Sequence, residues 1–191
     1  HIDTRLVVIG PVICVAALDA PLSSPPRLGD IPTAFFAAGN ASVARWHVEE
    51  AGMFDESFRE YGWEELEIGD RLRDMGLKRV TALRARGYRY CPPPQVSDLD
   101  LYLIRELERG RTAVAYFRKH PTFRARARVR LFPPLFWVDR ILFPFEWYER
   151  PGFRRWLAGL EQRGRGRLLK AAIRFVMHHA YVSGLRQGLR R

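Results

Sequence analysis

The apolar, β-branched run RLVVIGPVICV over residues 5–15 predicts a buried strand that Gly10-Pro11 kinks or ends. The stretch DAPLSSPPRLGDIP, residues 19–32, is rich in Pro, Ser and Gly and predicts a loop. Ser42 is positioned to cap a short helix over VARWHVEEA, with Gly52 to stop it. Over about residues 64–75, Ile68, Leu72 and Met75 recur at i, i+4, i+7, the buried stripe of an amphipathic helix. Glu67 and Arg71 supply a stabilising i, i+4 pair on it, and Gly76 suits its C-terminus. KRVTAL then reads as a strand, and RGYRYCPPP as a strand running into a rigid turn. Ser97 is placed to cap a long helix through about Lys119, closed by Pro121.

From residue 122 the character of the chain changes. FRARARVR is basic, and LFPPLFWVDRILFPFEWY holds seven aromatic residues in eighteen. Its longest Pro-free run, Leu135 to Phe143, would make about 14 Å of helix against a hydrocarbon core of about 30 Å. Asp139 and Arg140, read as a local charge pair, sit at the middle of that run, so a transmembrane span is not expected. Two readings suit an apolar segment beside basic residues: a piece lying in a membrane interface, or an arm packing onto a core. The closing run LLKAAIRFVMHHAYVSGL predicts an amphipathic helix through Leu169, Ile173, Val176 and Ala180. His178 and His179 are adjacent, so they point to different sides of it and do not converge on a metal.

Charge divides the 191 residues unevenly. Residues 1–100 carry 11 Lys/Arg and 15 Asp/Glu, a balance of −4, whereas residues 101–191 carry 21 and 6, a balance of +15. Only Lys78, Lys119 and Lys170 among the 32 basic residues are lysine, a bias that a GC-rich genome would also produce, although it would not make the distribution one-sided. A basic half suits nucleic acid, an anionic membrane or a phosphorylated substrate. Nucleic acid fits least, because the aromatics cluster with Leu and Pro and do not alternate with Arg as stacking platforms. Two cysteines, Cys14 and Cys91, make no disulfide framework, and a reducing compartment is the default expectation. The opening HIDTRLVVIGPV lacks the basic region and cleavage site of a signal peptide. It begins with His, as a processed chain or an excerpt of a longer one would.

Against the net charge of +11, Glu60, Glu64, Glu65, Glu67 and Asp70 gather within eleven residues. Acids in a first helical turn stabilise the helix dipole without any chemistry, and that reading suits Glu60, Glu67 and Asp70. For Glu64 and Glu65 the surrounding run AAGNASVARWHVEEAGMFDESFREYGWEELEIGDRLRDMG says more. It resembles the second half of family 2 glycosyltransferases with the GT-A fold. The matching positions are Gly39, Asn40, Ser42, Gly52, Phe54, Asp55, Glu56, Phe58, Gly62, Trp63, Glu64, Glu67, Gly69, Arg71 and Leu72. The likeness continues more weakly to about residue 121.

The resemblance implies an α/β fold: residues 1–121 as the acceptor-side part of a Rossmann-like, mixed-sheet GT-A domain, and residues 122–191 as a basic, helical, aromatic-rich tail. It implies an inverting transferase with a nucleotide-sugar donor; the basic, aromatic tail adds the expectation of a glycan or lipid-linked acceptor in cell-envelope or polysaccharide synthesis. Glu65 would be the general base for the acceptor hydroxyl and Glu64 the acid holding the acceptor. Trp63 would stack on a sugar ring, and Gly39 and Asn40 would line the sugar site; Ser42, Gly62 and Arg71 belong to the same substrate-binding set. Glu65 stands where the family has Asp, and Arg89 where it often has a metal-ligating His; Arg89 is suited to neutralising a diphosphate. The family's divalent metal (Mg or Mn), its Asp-x-Asp and the donor-binding half are expected outside this chain. Asp98 and Asp100 do spell that tripeptide, but they begin a helix, where acids suit the dipole. The basic, aromatic tail would hold the protein at the cytoplasmic face of a membrane. A catalytically inactive remnant with a membrane-associated or scaffolding role stays open beside the enzyme.

Overall fold

The computed structural model describes residues 5–17 and 25–191, as two compact units. Residues up to Ser57 together with Glu64–Pro92 form the first unit, and Phe58–Trp63 together with Pro93–Arg191 form the second. The boundary expected at residue 121 therefore falls inside the second unit. Of the loop expected over residues 19–32, residues 19–24 lie outside the described ones, and the remainder contains a 3-10 turn at Leu28–Asp30.

The first unit is mixed α/β. Strand β1 (Leu6–Ile9) pairs antiparallel with β3 (Ala41–Val43) and parallel with β4 (Lys78–Thr81). Gly10-Pro11 ends β1, and the chain re-enters a second sheet as β2 (Val12–Val15), parallel to β5 (Gly87–Tyr90). Val7 and Ile9 of β1 are fully buried against Phe36, Leu77 and the stripe of helix α2 (Glu64–Asp74), in which Ile68 and Leu72 are also fully buried. The expected Glu67–Arg71 pair forms at 2.6 Å, and Asp70 pairs with Arg73 at 2.7 Å. Gly76 follows α2 with φ +85°, a left-handed conformation that glycine adopts without strain. Helix α1 (Arg45–Glu50) is shorter than expected. Ser42 does not cap it, because Ser42 lies within β3, in register with Val8.

The two cysteines, for which a reducing compartment is the default expectation, are joined: Cys14 of β2 and Cys91 just after β5 form a disulfide with Cα atoms 5.4 Å apart. The parallel pairing of β2 with β5 sets Cys14 opposite Arg89 and draws two residues 77 positions apart together.

The second unit is helical. Its helices are α3 (Leu99–Lys119), α4 (Phe123–Arg128), α5 (Pro133–Leu142), α6 (Pro151–Gln162) and α7 (Gly166–Arg190). Asp98 occupies the α3 N-cap without a side-chain cap bond, so the Ser97 cap is not formed. Helices α3 and α7 run parallel in close contact. A Cβ on Gly110 of α3 would lie 2.8 Å from Gly184 Cα and Leu185 N of α7, closer than any side chain tolerates. Further along, Leu169 and Ile173 of α7 join Leu99 of α3 and Leu157 and Leu160 of α6 in one apolar cluster. Val176 is fully buried and Ala180 half-buried, which completes the expected stripe of α7.

Helix α5 is inverted relative to an ordinary amphipathic helix. Its buried residue is Asp139, while Trp137 and Ile141 are 71% and 74% exposed. Asp139 is not paired with Arg140 as expected. Its carboxylate takes the Arg186 guanidinium at 2.7 Å and meets His179 Nδ1 at 2.8 Å, both from α7. Tertiary packing across 40 residues thus outcompetes the neighbouring charge.

Candidate active site

The matched motif passes between the units twice, before Phe58 and after Trp63. Gly62 and Trp63 both have left-handed backbones, φ +102° and +74°, and α2 begins at the next residue. Such a conformation is routine for glycine and strained for tryptophan, so the surroundings must hold Trp63 in place. In the second unit they do. Its indole ring stacks on Tyr116 at 5.4 Å, its Nε1–H donates to the Arg109 carbonyl at 2.9 Å, and the Arg109 guanidinium lies 5.8 Å from the ring centroid. The preceding residues run along the same helix: Glu60 pairs with Arg111 at 2.7 Å, and the Tyr61 carbonyl accepts from the Thr112 hydroxyl at 3.0 Å. The ring is thereby an anchor of the motif turn, and it also borders a cavity within the second unit.

In the first unit a cavity of about 330 Å³ lies beside β2 and β5, with Glu65, Gly39 and Arg89 in its wall, together with Asp30 and Cys14. Glu65 enters from the first turn of α2, Arg89 from β5 and Gly39 from a 3-10 turn at Ala38–Asn40. A Cβ on Gly39 would come within 2.9 Å of Arg89 Nη2, so the glycine makes room for the guanidinium. A half-buried carboxylate and a guanidinium thus share one recess. Glu64 is distinctive in another way. Its Oε2 is buried and accepts no hydrogen bond, an arrangement that costs about 1–3 kcal/mol unless a donor arrives.

Other residues of the predicted set stand elsewhere. Asn40 donates its side-chain amide to the carbonyls of Pro11 and Ala85, at 3.0 and 2.7 Å, stapling the β1–β2 corner to the turn before β5. Arg71 binds Glu67 and donates to the carbonyls of Ala51 and Met53, fixing the connection from α1 to α2 beside a separate recess. Ser42 is exposed on β3. Asp98 and Asp100 turn to different partners: Asp98 accepts from the Tyr102 hydroxyl, while Asp100 is held by Arg154, whose hydrogen bond lowers its pKa below the ordinary 3.8. Among the described residues no three His, Cys, Asp or Glu side chains converge as metal ligands. Sequence reasoning missed the arginines of the second cavity, Arg109, Arg128, Arg130 and Arg174. Their only trace in the sequence is the excess of positive charge after residue 100.

Comparison with known proteins gives the class of the matched stretch. Over 74 residues the chain is 38% identical to a hyaluronan synthase of Pasteurella multocida, covering 39% of this chain and 8% of that protein. Over 74 residues it is 35% identical to a chondroitin synthase of Escherichia coli, covering 39% of this chain and 11% of the synthase. Over 47 residues it is 45% identical to an uncharacterized glycosyltransferase of Bacillus subtilis (strain 168), covering 25% of this chain and 12% of the relative. The chain is therefore similar to glycosyltransferases over part of its length, and the match spans about a tenth of each relative. No protein-family model and no solved structure matches the chain.

Proposed function

We propose that these residues are the acceptor-side part of an inverting family 2 glycosyltransferase, passing a sugar from a nucleotide-sugar donor to a glycan or lipid-linked acceptor in polysaccharide synthesis. The observation that carries the reading is the cavity wall shared by Gly39, Glu65 and Arg89, residues 50 positions apart at the extremes. In the reaction the acceptor hydroxyl gives its proton to the Glu65 carboxylate as its oxygen bonds to the anomeric carbon. The bond to the diphosphate breaks with its electron pair on the leaving oxygen, so the anomeric configuration inverts. Arg89 faces the leaving charge, and the unpaired Glu64 oxygen receives a second acceptor hydroxyl.

The test is turnover of the native protein containing this chain, with Glu65→Gln compared against the parent. Loss of a general base is worth roughly 10²–10⁴-fold in kcat, with the KM for donor little changed. Unchanged turnover would overturn the assignment of Glu65 as the base, and a parent protein without turnover would leave the inactive remnant as the reading. Membrane association at the cytoplasmic face is part of the same proposal, supported by the inverted helix α5 and by Phe145, which is 90% exposed. Amphipathic elements of this kind lie in the lipid interface, and no described helix is long and apolar enough to cross a membrane. Sedimentation with anionic liposomes, lost in Trp137→Ser/Ile141→Ser, checks it; a parent protein that stays in the supernatant at low salt refutes it.

A further inference from the structure

A recess of the second unit, about 720 Å³, is lined by Arg109, Arg128, Arg130 and Arg174, with Glu106 and His178 beside them. Four guanidiniums against one carboxylate leave a formal charge of +3. Glu106 is committed to Arg109 at 3.0 Å, and Arg128 donates to the Tyr116 hydroxyl at 3.1 Å. The guanidiniums of Arg130 and Arg174 make neither a hydrogen bond nor an ion pair among the described residues, and both residues are exposed. Their origins are separate. Arg109 belongs to α3, Arg128 ends α4, Arg130 follows it with a left-handed backbone (φ +56°), and Arg174 comes from α7. Like charges gathered from four places repel one another, and among the described residues Glu106 is the acid in the wall of the recess.

We propose that this recess is a binding site for a phosphate group carrying two or more negative charges. The planar guanidinium fork matches the oxygens of phosphate and carboxylate alike, so charge density decides between them. A carboxylated sugar chain brings one charge per ring, and few rings enter a recess of this volume. A phosphomonoester or diphosphate brings its charges in one compact group, matching the +3 of the wall. The remaining volume exceeds that of a bare ion and admits the molecule that carries the phosphate. Soluble phosphate esters and lipid headgroups share this chemistry. The site stands without the transfer reaction proposed for the first unit.

Calorimetric titration of the full chain with inorganic pyrophosphate tests it. The expected result is saturable binding that weakens roughly tenfold for each guanidinium removed in Arg130→Gln/Arg174→Gln. The control Arg155→Gln/Arg167→Gln removes the same charge from exposed positions of the same unit and should bind within about twofold of the parent. No saturable binding, or equal weakening in both double variants, would overturn the site. Tighter binding of a carboxylated oligosaccharide than of pyrophosphate would overturn the phosphate assignment. Phosphatidylcholine vesicles with and without phosphatidic acid separate the sources. Binding that requires the acidic lipid, is displaced by pyrophosphate and fails in Arg130→Gln/Arg174→Gln makes the ligand a headgroup; indifference to vesicles, with pyrophosphate binding intact, makes it soluble.

Discussion

Alanine substitution of Gly110 opposes two effects of known sign. In the interior of a helix, alanine is favoured over glycine by about 1 kcal/mol. At Gly110 the added methyl would sit 2.8 Å from Gly184 Cα and Leu185 N, where carbon atoms rest at about 3.5–4.0 Å, and closer still to the Tyr181 carbonyl. Every one of those atoms is backbone, so no rotamer change relieves the overlap. Helices α3 and α7 must separate by roughly an ångström, and such overpacking costs about 1–3 kcal/mol or more. The net expectation is a destabilisation of about 1–2 kcal/mol. Gly159 in α6 has nothing within 4 Å of its virtual Cβ, so Gly159→Ala should stabilise by about 0.5–1 kcal/mol. Urea unfolding followed by tryptophan fluorescence reads both, since Trp63, Trp137, Trp147 and Trp156 all belong to the second unit. A Gly110→Ala protein with the midpoint of the parent, or above it, would refute the close parallel packing of α3 and α7.

Three further outcomes follow from buried groups. Asn40→Ala removes the hydrogen bonds to the Pro11 and Ala85 carbonyls and should cost about 0.5–1.5 kcal/mol, measured as a lowered urea midpoint of the first unit. Asp139→Ala strands the His179 and Arg186 side chains that meet on it; breaking a buried pair this way costs about 3–5 kcal/mol, seen as a lower Tm. Burial, and then the nearby acids Glu149 and Glu146, push the Tyr148 phenol up to about 12, and burial raises Tyr181 as well. Their folded-state pKa values exceed the ordinary 10.0. The stability they contribute is therefore complete below pH 10 and is lost as pH rises through about 12 for Tyr148. Phenolate absorbance in an alkaline titration should show these two tyrosines ionising above the ordinary 10.0; ionisation at that value would contradict their burial.

Local features were legible in the residues themselves. The stripe of Ile68 and Leu72, the Glu67–Arg71 pair, the break at Gly10-Pro11 and the glycine after α2 all depend on neighbours within four positions, where backbone geometry dictates who meets whom. The likeness to glycosyltransferases was legible for a related reason: a run of residue types in fixed order survives without its fold. Ser42 and Ser97 show the limit of local preference. A cap contributes about 1 kcal/mol, and the ladder of β3 on β1, or the 3-10 turn Val96–Asp98 before α3, claims the same residue instead. What the tertiary structure alone decided was encounter across distance. Gly39, Glu65 and Arg89 share a recess, Cys14 reaches Cys91, Asp139 leaves Arg140 for His179 and Arg186, and four arginines from α3, α4, its following turn and α7 converge. No periodicity records these meetings, because they follow from strand pairing and helix packing, in which residues 40 to 77 positions apart become neighbours.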